Sequence, residues 1–218
     1  MSGGIVTRPV WTILAILALL AAAPLAQQPF LPVDEAGSRP DFFSFRAQLQ
    51  RAIARHDTAA LLAIVHPQIK NSFGDNDGID EFRTMWNIGA ADSEIWGLLG
   101  TVLELGGSFH EDNTFVAPYV FSRWPGQIDP FDHVAVIGSD VRVRSQPNAD
   151  APVIAAMSFT ILPVARPDIE VEGWTAVRVE GKRTGYIASQ FVRSPIDYRA
   201  IFRYESRQWK LVTLVAGD

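Results

Sequence analysis

The spacing of apolar positions shifts along this chain from helical to alternating, and the shift divides it into parts. Phe42, Phe45, Leu49 and Ala52–Ile53 recur as one helix face does, predicting a helix with Asp41 as its N-cap. His56-Asp57 breaks that helix and caps a second, with Leu61, Leu62, Ile64 and Val65 on its apolar side and Pro67 at its end. A short strand over Ile69–Phe73 follows, then a third helix beyond Asp77-Gly78 carrying Ile79, Phe82 and Trp86. A fourth opens at Ser93, carries Ile95–Trp96, Leu98–Leu99, Val102–Leu103 and Leu105, and closes at Gly106-Gly107. From Ser108 the chain is extended, through Phe109 and Thr114–Phe121, and Trp124–Asp132 reads as a loop.

The end of the chain alternates strictly. Tyr198, Ala200, Phe202 and Tyr204 interleave with Arg199, Ile201 and Arg203; after a turn at Glu205–Gln208, Trp209, Leu211, Thr213 and Val215 interleave with Lys210, Val212 and Leu214. This is a β-hairpin. A lone hairpin is marginal in water, so it must dock, and the N-terminal body is the expected host.

Between the two lies a run of short β segments and turns. It opens Val136-Ile-Gly-Ser-Asp-Val-Arg-Val-Arg-Ser-Gln-Pro, continues Gly173-Trp174-Thr175-Ala176-Val177-Arg178-Val179, and ends Gly185-Tyr186-Ile187-Ala188-Ser189-Gln190-Phe191-Val192. Period two puts Thr175, Val177 and Val179 on one face and Trp174, Ala176 and Arg178 on the other. Val141 and Val143 likewise face inward, leaving Arg142 and Arg144 outward. This order of segments resembles the bacterial SH3 (SH3b) family over residues 134–194. The resemblance implies a small binding barrel in the cell envelope, with peptidoglycan peptides or an envelope protein as partner. Two features depart from the family: Ser158-Phe159-Thr160 stands where those domains often carry Lys-Gly-Thr, and Tyr186 replaces the usual tryptophan of the last Gly-Trp pair. The tyrosine-rich opening through which eukaryotic SH3 domains recognise proline-rich segments has no match, so that specificity does not transfer.

The N-terminal body resembles the NTF2-like cone family in its two early helices, in Gly78-Ile79-Asp80-Glu81-Phe82, and in a closing hairpin with Arg207-Gln208-Trp209-Lys210 at its turn. The long fourth helix and the intervening barrel depart from that pattern. Such cones often enclose a pocket, for which Trp86, Trp96, Phe121 and Trp124 are candidates beside the alternative of ordinary core.

Composition narrows the functional classes. A net charge of −5 leaves no global basic field for nucleic acid or anionic lipid. The absence of cysteine excludes disulfides, thiolate metal sites, a cysteine nucleophile and a lipoprotein anchor. Arg8, the apolar run Val10–Ala23 and the small residues before Gln27-Gln28 form a signal-peptide pattern over 1–26, with an uncleaved anchor as the alternative. Either way the body is expected outside the cytoplasm, in the periplasm or beyond. Residues 27–40, with three prolines and a glycine, read as a linker.

Candidate chemistry is sparse. Gly74–Glu81 is acidic, but with Gly78 in the glycine place of a calcium loop the first ligand would be Phe73 and the last Thr84, so it reads as a turn with Asp77 capping a helix. His56, His66, His110 and His133 show no zinc spacing; His110-Glu111-Asp112 is the best lone acid–base cluster, and such clusters are most often solvated turns. No nucleophile elbow, phosphate loop or dinucleotide fingerprint is present. No catalytic residue, metal or cofactor is therefore expected. An aromatic ring flanked by guanidiniums suits a peptide, a carboxylate or a sugar face, which makes Trp174, Arg178, Arg142, Arg144 and Tyr186 the candidate ligand-binding residues. The alternative is that Trp174 packs under the loop Pro167–Glu172 and only closes the barrel.

The expected architecture is α+β: a helix-rich N-terminal domain (41–132 plus 197–218), an inserted SH3-like β-barrel (134–194), and a C-terminal β-hairpin returning to the first domain. The expected function is non-catalytic envelope binding. The alternative is a small-molecule-binding or enzymatic NTF2-like domain with the barrel as a tether. No nucleic-acid partner is expected, and membrane contact only through an uncleaved N-terminal segment.

Overall fold

The computed structural model describes residues 29–111, 113–166, 169–180 and 183–217. The expected signal segment lies outside the described residues, and no helix among them is long and apolar enough to cross a membrane. The segment expected as a linker is docked. Phe30 lies 5.2 Å from the Tyr119 ring and 5.6 Å from that of Trp124, and a turn over Ala36–Ser38 buries Ala36. Asp34 pairs with Gly107, and a Cβ at Gly107 would overlap the Val116 carbonyl, so only glycine lets the chain pass that close to Val116.

Helix α1 (Pro40–Ala54) starts one residue before the expected cap, because proline suits the first helical position and Arg39 is already extended. Asp41 then sits in the first turn and pairs with Arg39 at 2.7 Å. Asp57 caps α2 (Thr58–Ile64), accepting from the Ala60 N–H at 3.0 Å. The chain passes straight from Ile64 into β1 (Val65–Lys70), so the strand begins earlier than the pattern suggested and contains Pro67, as an edge strand can. Before α3 (Ile79–Met85) it is Gly78, at φ 98°, that stands at the N-cap. Asp77 is turned the other way, accepting from the Asn71 N–H and from Lys70. Helix α4 (Ile95–Glu104) is followed by β2 (Ser108–His110) and β3 (Thr114–Ala117). β3 stops at Pro118, which cannot donate to a ladder, and a single turn, α5 (Tyr119–Ser122), replaces the expected extension to Phe121.

Seven strands come next: β4 (His133–Val136), β5 (Val141–Arg144), β6 (Val153–Met157), β7 (Ile161–Pro163), β8 (Trp174–Val179), β9 (Arg183–Ala188) and β10 (Val192–Arg193). They form a three-stranded sheet, β10-β4-β7, and a four-stranded one, β6-β5-β9-β8. Among the described residues the two sheets are joined by one isolated bridge, between Val164 and Val177, rather than closing as one continuously bonded barrel. Val136, Val143, Val177 and Ile187, all fully buried, form a core between them.

The chain then returns. β11 (Arg199–Glu205) and β12 (Gln208–Val215) form the hairpin and enter the middle of a five-stranded sheet ordered β1-β12-β11-β3-β2. β11 pairs antiparallel with β3, and β12 runs parallel to β1. Phe202, Trp209, Leu211 and Leu214 join Phe42, Phe82, Leu99 and Phe115 in the largest core. Strict alternation fails once: Ile201 pairs with Thr213 and Phe202 with Leu211, which leaves Val212 as an extra residue. That bulge shifts parity, so Leu214 and not Thr213 faces the core with Ala200. Tyr119, Val120 and Ala135 make a third buried cluster where the seven-strand unit meets the rest. The architecture is α+β, with helices and sheets largely segregated along the chain.

Candidate functional site

Cross-strand register decides which side chains share the outer face of β6-β5-β9-β8. Trp174, Ala176 and Arg178 of β8 stand opposite Ala188, Tyr186 and Thr184 of β9. Tyr186 in turn stands opposite Arg144 of β5, and Arg142 lies two residues away on the same side. Partners in register point the same way, so all five candidate residues share this face. Their inward neighbours Val141, Val143 and Val177 are buried. Gly185 makes the sheet possible at its centre, since a Cβ there would overlap the Val143 side chain.

Within that face the five are not equivalent. Trp174 is half-buried and stands between two open grooves. The first, of about 540 Å³, is bounded by Trp174, Arg142, Arg144 and Asp140, with Phe191 at its rim. The second, of about 310 Å³, is bounded by Trp174, Tyr186, Glu170 and Glu172. Arg178 is exposed farther along the strand. Arg144 is fixed, since its guanidinium donates to the Ala151 carbonyl at 2.7 Å, whereas Arg142 is exposed. Glu170 and Val171, within the loop expected to cover Trp174, line the second groove, and the ring keeps surface toward both grooves.

Sequence reasoning missed Asp140, Phe191, Glu170 and Glu172. Asp140 sits at φ 51° in the turn before β5, and the Gly138-Ser139-Asp140 composition was its only signal. Phe191 is 42% exposed just after β9, where period two no longer applies. The two glutamates lie on an irregular loop with no pattern to place them.

The other candidates are dispersed. His66 sits 3.2 Å from Glu205, His56 stacks on Trp96 with ring centroids 5.2 Å apart, and His133 lies 3.0 Å from the Asp129 carbonyl. His110 is paired with Thr114 in the β2–β3 ladder, and Asp112 lies outside the described residues. Among the described residues no group of three or more His, Asp or Glu is placed to hold a metal ion. Asp77 serves its turn: the Asn71 N–H, with Lys70, holds its carboxyl below the usual range.

The four aromatics named for a shared cavity do not gather around one. Trp86 borders a groove of about 390 Å³ with Tyr198, Asp92 and Glu94. Trp96 lies against His56, Phe121 carries the Arg199 guanidinium at 4.5 Å, and Trp124 packs on Phe30. Near the hairpin turn Arg39 stacks over Trp209 at 5.0 Å, and Trp209 donates to Asp41. Hydrogen bonding from Arg39 holds the Asp41 carboxyl below its ordinary value, with Trp209 adding to the effect. No protein-family model matches this chain, and no curated protein sequence matches it.

Proposed function

We propose that this is an exported, non-catalytic cell-envelope binding protein whose β4–β10 unit is an SH3b-like module inserted into an α+β body. Its ligand is a peptidoglycan peptide, bound on the outer face of the four-stranded sheet. The observation that carries the reading is the register that sets Trp174, Tyr186, Arg142 and Arg144 on one face beside an open groove of about 540 Å³. A partly exposed tryptophan beside two guanidiniums supplies apolar contact and carboxylate recognition together, which is how a short peptide is held with few contacts. The signal-peptide pattern of the sequence over 1–26 supports export to the compartment that holds wall peptides.

Co-sedimentation of the chain from Gln27 onward with purified sacculi, beside its Trp174→Ala variant, tests this. Binding that Trp174→Ala removes, with the thermal midpoint lowered by only a few degrees, supports the proposal. Binding unaffected by Trp174→Ala refutes the site on this face, and binding by neither protein refutes the ligand and turns the reading to a protein partner or a small ligand of the N-terminal body. A second reading, a small-ligand site in an NTF2-like body with the seven-strand unit as tether, has one observation in its favour. The indole N–H of Trp86, buried beside the groove it shares with Tyr198, has no partner among the described residues.

A further inference from the structure

We infer that the face around Trp174 reads a dipolar peptide segment, its carboxylate toward Arg142 and Arg144 and its ammonium toward Glu170 and Glu172. The inference rests on the proposed function and adds a charge requirement and a direction to it. Trp174 is common to both grooves, so a ligand lying on the indole reaches into each. Their walls carry opposite charge. The first holds two arginines against the single carboxylate of Asp140, and the second holds two glutamates and no basic residue. Among the described residues, Arg142, Asp140, Glu170 and Glu172 enter no ion pair, so these charges are not spent on the fold.

That arrangement discriminates between ligand classes. A polyanion would gain from the arginines and be repelled by the glutamates on the far side of the ring. A neutral glycan would cover both sets of charges and return few charge-assisted bonds for the water it displaced. A peptide segment with a free carboxylate and a free ammonium satisfies both walls. Two strand spacings, about 10 Å, separate β5 from Trp174 on β8, and the glutamates lie beyond the ring, so the ligand must be longer than that. Three extended residues cover about 10 Å, so a segment of at least four reaches from the arginines across the indole to the glutamates. Arg144 is already oriented by Ala151, so the carboxylate end meets a prepared guanidinium.

The test uses the chain from Gln27 onward and sacculi in three forms: untreated, with amines acetylated, and with carboxylates amidated. Each modification should weaken wild-type binding by up to about fivefold, the upper end of the range for one exposed charge contact. Glu170→Gln with Glu172→Gln should bind weakly and lose the response to acetylation while keeping the response to amidation. Arg142→Gln with Arg144→Gln should show the reverse. Trp174-dependent binding that ignores either modification overturns the inference and leaves the proposed function standing. Absence of any Trp174-dependent binding to untreated sacculi overturns both. The wild-type arms decide the matter even if a double variant fails to fold.

Discussion

Replacing Phe202 by alanine tests whether the end of the chain completes the first core. Phe202 follows the seven-strand unit in sequence, yet it is fully buried in the largest core. Its ring lies 5.9 Å from that of Phe42 and 5.7 Å from that of Phe45, and Phe115 stands opposite it across β3. Truncating a buried phenylalanine costs about 3–5 kcal/mol through lost transfer energy and the cavity left behind. The ring's aromatic contacts go with it, and the middle of that range, about 4 kcal/mol, is the expected cost. Domains are stable by about 5–15 kcal/mol, so the variant should lose a large share of that and melt roughly 10–15 °C lower. Urea titration followed by tryptophan fluorescence reads the change, since Trp209 and Trp86 belong to the same core. Residues 134–194, expressed alone, should stay folded around their own valine core, with Trp174 as reporter. A cost below about 0.5 kcal/mol would refute the docking argument, because that is the range of surface substitutions.

Deleting Ile196–Asp218 removes both central strands, and proteolysis should then degrade the α-helical body while sparing a resistant fragment near 134–194; a resistant body contradicts the sheet order. The Tyr119 hydroxyl is buried with no partner among the described residues, and burial pushes its pKa up to about 12. The unfolded chain ionises near 10 and the folded chain does not, so this contribution is whole below pH 10 and is lost as the pH rises through about 12. Tyr119→Phe should leave the urea midpoint at pH 7 unchanged or higher and flatten the fall between pH 10 and 12; an equal fall in both proteins would exclude Tyr119 as its source. Gly185→Ala forces a methyl group into Val143 and within 3.2 Å of Ile154, so it should cost about 1–3 kcal/mol by overpacking, and a neutral effect in thermal melts would show that the sheet yields there.

Helices at the start, a hairpin at the end and short strands between were legible because each writes its period into the chain. Asp57 and Gly106 marked their boundaries for the same local reason. The facing of Val177 against Trp174 also followed from period two alone. Where local chemistry offered two uses for one residue, the reading failed. Asp77 could cap α3 or close a turn, and its bonds to Asn71 and Lys70 decided for the turn. The proline-bearing stretch before α1 looked free because its partners, Gly107, Tyr119 and Phe159, lie far along the chain. The Val212 bulge was hidden because both parities of that strand are apolar.

Residue types and periods thus determined which elements form and which face of each is apolar, since both depend on neighbours within a few positions. Tertiary structure alone decided that the last two strands lie between β3 and β1. It alone ran β5, β9 and β8 side by side, so that arginines from one strand, a tyrosine from the next and a tryptophan from the third share a face. It also put Asp140, Phe191 and the Glu170–Glu172 loop around that ring. Strand order and register come from burying all the apolar faces at once, a condition on the whole chain that no local spacing records.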